Sequence, residues 1–305
     1  MKRIFFIDID GTLTFYNKES GKDEIAPNVI EDIQYAKDNG SYVVLCSGRV
    51  GKDVEGIAKE LGTSPIVIAN NGGVVRNFET SEVLMQAEMP YEDVKKIVDL
   101  RDKYNLDIFV NMAGKYLMDQ RHDTEIKDKS THRVVGDVGS VLADAEAQGI
   151  PVNMMGLEST DIQKLSLVRE SVTGLANIYI SNESKELKGY EGVNDGQYDG
   201  DYFFDLSVKG YTKDKAIKFL SEYLGIPLEN CVAIGDSFND IPMYDVCGVK
   251  VAVDNAVFEL KKQADIIAPA NTQGGAGVAI RQIISRDFVN GNNILPEASD
   301  IQKLA

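Results

Sequence analysis

Ile4-Phe5-Phe6-Ile7-Asp8-Ile9-Asp10-Gly11-Thr12 is the stretch on which the fold turns. A short continuous apolar run suits a strand buried on both faces, the habit of parallel sheets flanked by helices. Two carboxylates follow at once. Side chains alternate along an extended strand, so Asp8 and Asp10 are expected to point the same way at its end. Carboxylates that close repel each other unless a cation sits between them or one holds a proton. Either arrangement is useful, because a metal makes a phosphate site and a protonated aspartate makes a general acid. Gly11 permits a sharp turn and close backbone approach. A strand end with solvated acids is the plainer reading of the same residues.

Outward from this stretch, strand and helix patterns alternate. Residues 28–40 predict a helix with Ile30, Ile33 and Ala36 on one face and Gly40 as its stop. Residues 42–47 predict a second buried strand, 52–62 a helix and 66–70 a third strand. Residues 11–27 read as a polar loop. The expected fold class is α/β, a doubly wound, Rossmann-like, mostly parallel sheet.

The pattern changes after about Glu82. A helix over 91–105 is followed by paired strands at 106–112 and 115–120. Past a polar stretch come a strand at 151–157, a helix at 161–172 and strands at 177–182 and 201–208. This predicts a separate α+β domain. The glycine-rich run 189–201 reads as an exposed turn between the last two strands. The first pattern returns at 212–225, a helix expected to bury Ala216, Ile217, Leu220, Tyr223 and Leu224. The expected division is 1–84 and 209–288 for the core, 85–208 for an inserted domain and 289–305 for a C-terminal tail.

Composition narrows the function classes. The 305 residues are 43% hydrophobic and 26% charged, as in ordinary globular proteins. A net charge of −16 repels nucleic acid and anionic membranes, so neither is an expected partner. It repels phosphorylated metabolites as well, so a phosphate site must be made locally positive by metal, lysine or backbone amides. The three cysteines, Cys46, Cys231 and Cys247, form no CxxC, which fits a reducing cytoplasm. No apolar run approaches the roughly 20 residues of a membrane helix. The apolar run of the N-terminus is too short for a signal peptide.

Three further clusters carry chemistry. Ser47-Gly48-Arg49 offers a hydroxyl and an amide to phosphate oxygens, or simply caps a strand-to-helix turn. Lys213 opens a helix, where its charge opposes the macrodipole, so a bound anion or nearby aspartates would account for it. Gly235-Asp236-Ser237-Phe238-Asn239-Asp240 again sets acids at a strand end. Hard oxygen ligands with room for water suit Mg²⁺ better than zinc. In open α/β sheets ligands bind beyond the carboxyl ends of the strands, where all four clusters could converge.

Together these clusters resemble the haloacid dehalogenase-like hydrolase superfamily. IDIDGTLT matches its DxDGT motif, SGR the second, Lys213 the third and GDSFND the GDxxND form of the fourth. IANNGG and the large insertion between the second and third motifs resemble the Cof-like, type IIB sugar phosphatase branch. The resemblance reaches to about Arg286, with Ser47 standing where the family often has threonine. It implies Asp8 as nucleophile, Asp10 as acid and base, and Mg²⁺ on Asp8, Asp236, the Asp10 carbonyl and, less directly, Asp240. It implies phosphate held by Gly11, Ser47, Gly48, Lys213 and Asn239, with Asn239 also able to orient Lys213. The inserted domain would be a cap closing over the site. Arg49, Asn71, Gln120, Arg121 and His122 are candidate contacts to the rest of the substrate, a small phosphorylated metabolite. Two other readings stay open: a phosphotransferase of the phosphomannomutase type, and a catalytically idle binding protein on the same fold.

Overall fold

The computed structural model describes residues 2–112, 114–119, 132–134, 137–184, 187 and 202–290. The first part runs β1 (Ile4–Ile7), β2 (Thr14–Asn17), β3 (Lys22–Ile25), α1 (Asn28–Asp38), β4 (Tyr42–Cys46), α2 (Gly51–Glu60), β5 (Ile66–Ala69), β6 (Val74–Asn77) and β7 (Glu82–Gln86). A second unit follows: α3 (Tyr91–Tyr104), β8 (Asp107–Met112), β9 (Lys115–Asp119), β10 (His132–Val134), α4 (Val138–Ala147), β11 (Val152–Ser159), α5 (Ile162–Thr173), β12 (Ile178–Glu183) and β13 (Tyr202–Val208). The chain then returns through α6 (Lys213–Leu224), β14 (Cys231–Gly235), α7 (Ile241–Tyr244), β15 (Val249–Val253), α8 (Phe258–Lys261), β16 (Ile266–Ala268) and α9 (Gly275–Asn290).

The first and third parts share an eight-stranded sheet in the order β16-β15-β14-β1-β4-β5-β6-β7. It is parallel from β16 to β5, and β6 and β7 add antiparallel strands at one edge. All four residues of β1 are buried, as its unbroken apolar run requires. Phe5 and Ile7 pack toward α1, α2 and α9, whereas Ile4 and Phe6 pack toward α6. β1 lies between β4 and β14, so chain segments far apart in sequence end side by side. That is the switch point of a doubly wound sheet. The free thiols of Cys46, Cys231 and Cys247 are all buried in or beside this sheet.

The inserted unit is an antiparallel platform with one parallel pair, ordered β10-β9-β8-β11-β13-β12. One face packs on α3, α4 and α5 through Ile108, Val110, Leu157, Phe204 and Leu206. The other face, with Asn111, Met154 and Ser207, meets the eight-stranded unit. No described helix is long and apolar enough to cross a membrane.

Several local expectations need correction. Residues 14–25 form the β2–β3 hairpin, not a featureless loop. β1 stops at Ile7, so Asp8 and Asp10 lie past its end instead of along one continuous strand. Ile30 is 46% exposed and Tyr223 is 54% exposed; Val29, Ile33 and Ala36 form the buried stripe of α1. The boundary expected at 84/85 falls inside β7, where Met85 pairs with Val75. Sequence reading misses α4 and the edge strands β6 and β7; the edge strands are short and mixed. Residues 189–201 and nearly all of the tail lie outside the described residues.

Candidate active site

The clusters converge at the carboxyl ends of β1, β4 and β14. Asp8 follows β1, and its N–H donates to the Ile234 carbonyl of β14 at 3.0 Å. Asp236 and Asp240 follow β14. Carboxylate oxygens of Asp8, Asp236 and Asp240 lie within 4.8 Å of one another. The Lys213 ammonium, 1% exposed, donates to Asp8 Oδ1 and Asp240 Oδ1, each at 2.7 Å. Burial disfavours its charge, but Asp240 and Asp8 outweigh that and hold it protonated. This accounts for a lysine at the unfavourable end of α6.

The acidic side remains in excess, with three carboxylates against one ammonium. Burial, then repulsion by Asp240, lifts the Asp8 carboxyl well above the ordinary range. The same causes push Asp236 up to about 8, against a donated bond from Thr12 Oγ1 at 2.8 Å. Asp240 is spent structurally: its Oδ2 accepts from the Asp236 and Ser237 amides at 2.9 and 3.0 Å. A cluster of hard oxygens that cannot all ionise unaided fits a divalent cation such as Mg²⁺, whose charge would offset theirs. Asp8 and Asp236 are the side chains best placed to hold one, with Asp240 ordering the turn around them.

Gly11 has φ +81°, and a Cβ there would lie 2.4 Å from Asp236 Oδ2. Only glycine allows the first loop to cross so close to the acid. Asn255 donates to the Gly11 carbonyl at 2.7 Å, and Asn271 to the Thr14 carbonyl at 2.8 Å. These two asparagines hold the loop from the far end of the chain.

Asp10 lies apart from the cluster. Its carboxylate takes a two-pronged bond from Arg49, with Nε to Oδ2 at 2.8 Å. Asp23, on the β2–β3 hairpin, stands 3.8 Å from the same guanidinium. Ser47 is buried, and its Oγ accepts from the Arg49 N–H at 3.1 Å.

A cleft of about 220 Å³ adjoins Lys213, lined by Asn71, Tyr179, Ser181, Thr212, Phe238 and Asn239 among others. That is below the roughly 300–1,000 Å³ of pockets that take drug-sized ligands. Its floor comes from the eight-stranded unit and its roof from β12.

Residues 5–280 match the haloacid dehalogenase-like hydrolase family. The chain belongs to that family. Its curated relatives include a 5-amino-6-(5-phospho-D-ribitylamino)uracil phosphatase of Bacillus subtilis, 26% identical over 92% of this chain and 98% of the relative. A phosphoglycolate phosphatase of Methanobrevibacter smithii is also 26% identical, over 91% of this chain and 97% of its own. Among solved structures, a haloacid dehalogenase-like hydrolase from Bacteroides thetaiotaomicron superposes with TM-score 0.75 at 25% identity, covering 93% of this chain and all of that one. A haloacid dehalogenase subclass IIB sugar phosphatase shares the fold, with TM-score 0.71 at 21% identity over 92% and 98% of the chains.

Within this haloacid dehalogenase-like fold, most of the predicted residues come together. Asp8, Gly11, Lys213, Asp236 and Asp240 form one contact network. Gly48 packs against the Asn71 amide, and Asn71 accepts from Asn239 at 3.3 Å. Asn239 thus bonds Asn71, whereas Lys213 is oriented by Asp8 and Asp240. Asp8 and Asp10 do not share a strand face, because regular pairing ends before either. Gln120, Arg121 and His122 lie outside the described residues. Sequence reading passes over Thr12, Asn70, Ser181, Asn255 and Asn271. Thr12 stands inside the first motif and Asn70 inside IANNGG, but lone asparagines and serines elsewhere carry no spacing signal.

Proposed function

We propose that this haloacid dehalogenase-like phosphatase removes phosphate from a small metabolite, a sugar or polyol phosphate, with Mg²⁺ and through a phosphoaspartyl form of Asp8. The observation that carries the reading is the buried Lys213 ammonium shared by Asp8 and Asp240 beside Asp236. Lys213 fixes one oxygen of Asp8, which orients the carboxylate for attack on phosphorus. The new bond joins Asp8 to phosphorus as the bond from phosphorus to the leaving oxygen breaks. Asp10 gives that oxygen its proton. In the second half Asp10 takes a proton from water, whose oxygen attacks phosphorus and frees both Asp8 and phosphate.

Lys213, the Ser47 hydroxyl and the Gly48 amide supply positive charge and donors to the transferring group. Mg²⁺, held by Asp8, Asp236 and the Asp10 carbonyl, would neutralise the phosphate dianion among the carboxylates. Before it can serve as acid, Asp10 must turn out of the Arg49 fork, which leaves that guanidinium able to meet the substrate. The two relatives above are equally similar and are named for different phosphate esters, so their names favour the class and not one substrate. Hydroxyl and amide groups on the inserted platform, from Asn111, Ser181 and Ser207, suit a hydroxylated leaving group. The buried thiols suit a cytoplasmic setting.

The test is phosphate release across a panel of phosphorylated metabolites, with Mg²⁺ or EDTA, for wild type and Asp8→Asn. Mg²⁺-dependent release lost in the variant is the expected result. Release that survives EDTA or the substitution removes Asp8 as nucleophile.

A further inference from the structure

Asn71 stands where the two sheets meet. Its amide nitrogen donates to Ser181 Oγ of β12, and its amide oxygen accepts from Asn239 Nδ2, both at 3.3 Å. Its backbone N–H donates to the Ser47 carbonyl at 3.0 Å. One residue therefore touches the inserted platform, the GDSFND turn and the SGR turn. Asn70 repeats the pattern, its Oδ1 accepting from Asn111 Nδ2 of β8 at 3.3 Å. Ser207 braces Ser181 from the next strand at 2.8 Å.

The turn is built to hold these amides still. Asn70, Asn71 and Gly72 run in succession through φ +52°, +52° and +97°. Asparagine is among the few side chains that accept this region. A Cβ at Gly72 would lie 2.3 Å from the Thr212 carbonyl, so the turn is pressed against the residue before Lys213. Both asparagines are buried, at 2% and 3% exposure. Their hydrogen bonds to the platform run amide to hydroxyl and amide to amide, and the Asn71 amide nitrogen also lies 4.0 Å from the Met154 sulfur. Parting them exposes polar groups that water satisfies, so these bonds add little to the cost of opening the seam.

We propose that Asn71 is a positioning residue that couples the seating of the inserted platform to the arrangement of Asn239 and Lys213 beneath it. Its side-chain amide joins both units, its nitrogen to Ser181 and its oxygen to Asn239, so loss of the Ser181 bond loosens the amide that Asn239 leans on. The kinetic part of the proposal rests on the phosphatase reading; the structural part does not.

The experiment therefore has two arms. The first follows hydrogen exchange at the amides of Asn70, Asn71 and Gly73, which donate to the carbonyls of Arg49, Ser47 and Asn70. Ser181→Ala, in the other unit, is expected to speed their exchange by about 5-fold, the worth of one net hydrogen bond. Ser181→Thr keeps the hydroxyl and is expected to stay at the wild-type rate. The second arm measures Mg²⁺-dependent phosphate release on the best substrate of the panel. Asn71→Gly, which accepts the positive φ, and Ser181→Ala are each expected to lower kcat/KM about 5- to 10-fold, chiefly in kcat, with Tm lowered by no more than a few degrees. The double variant is expected to be no worse than either single, because the two share one bond. Wild-type exchange at residues 70–73 in Ser181→Ala, or single effects that multiply in the double, would overturn the proposal. Wild type that releases no phosphate defeats the phosphatase reading, and the exchange arm still decides for or against Asn71.

Discussion

Lys213 holds two buried carboxylates with one ammonium, so its removal strands charge on both. Breaking a buried pair by deleting one partner costs about 3–5 kcal/mol. Lys213→Met is expected to lose phosphate release by about 10²–10³-fold or more, the loss seen when one transition-state donor is removed. Its Tm should fall as well, most in EDTA, read by scanning fluorimetry. Wild-type activity in Lys213→Met would remove the lysine from the reaction. Gly11→Ala puts a methyl 2.4 Å from Asp236 Oδ2, at a φ of +81°. The loop must then move away from the acid. Half-saturation by Mg²⁺ should shift to much higher concentration, and an unchanged Mg²⁺ titration would contradict the close approach. At this scale the sequence is eloquent where chemistry forces residue types together. Asp8, Lys213, Asp236 and Asp240 can be read because acids and glycine recur at strand ends and a lysine opens a helix where its charge needs a partner. Asn255 and Asn271 cannot, since each donates one bond to a carbonyl that belongs to the opposite end of the chain.

Elements show the same division. β1, β4, β5 and β14 are legible because burial on both faces demands unbroken apolar runs. The β2–β3 hairpin is not, because its strands are half exposed and its register depends on contacts outside it. One such contact is Asn271 to the Thr14 carbonyl. Asn271→Ala leaves that carbonyl unpaired, which typically costs about 1–3 kcal/mol. Chemical denaturation should show that loss, and a midpoint shift indistinguishable from wild type would argue that water replaces the amide. β13 carries a different consequence. Burial lifts the Asp205 carboxyl to about 7, opposed by its neighbour Asn182. A carboxyl with a raised folded-state value contributes its full stability below the unfolded value, near 4, and loses it as pH rises toward 7. Wild-type Tm is therefore expected to fall more between pH 4.5 and pH 7.5 than that of Asp205→Asn. Parallel profiles for the two proteins would show that Asp205 does not titrate in this window.

The whole molecule carries a net charge of −16, yet it gathers three carboxylates in one buried cluster. A cation that binds only the folded state adds RT ln(1 + [L]/Kd), about 2.7 kcal/mol at a hundredfold excess over Kd. Mg²⁺ is expected to raise the Tm of EDTA-treated protein by several degrees, and Asp236→Asn to abolish most of the rise. An equal rise in the variant would place the cation elsewhere. The two-unit plan is legible from the change in pattern near Glu82 and its return near Lys209, whereas the hydrogen bonds across the seam between the units are not, since they come from amides and hydroxyls that no periodicity marks. The thiols lead to one more property of the assembled chain. Cys46, Cys231 and Cys247 are all buried in the eight-stranded unit, and residues 87–208 contain no cysteine. Burial also holds the Cys46 and Cys231 thiols up at about 12, so little reactive thiolate forms at neutral pH. Alkylating reagents should thus ignore any rocking of the inserted unit and mark only molecules whose central sheet has come apart. The chain carries its own clock for global unfolding, readable by mass, one label at a time.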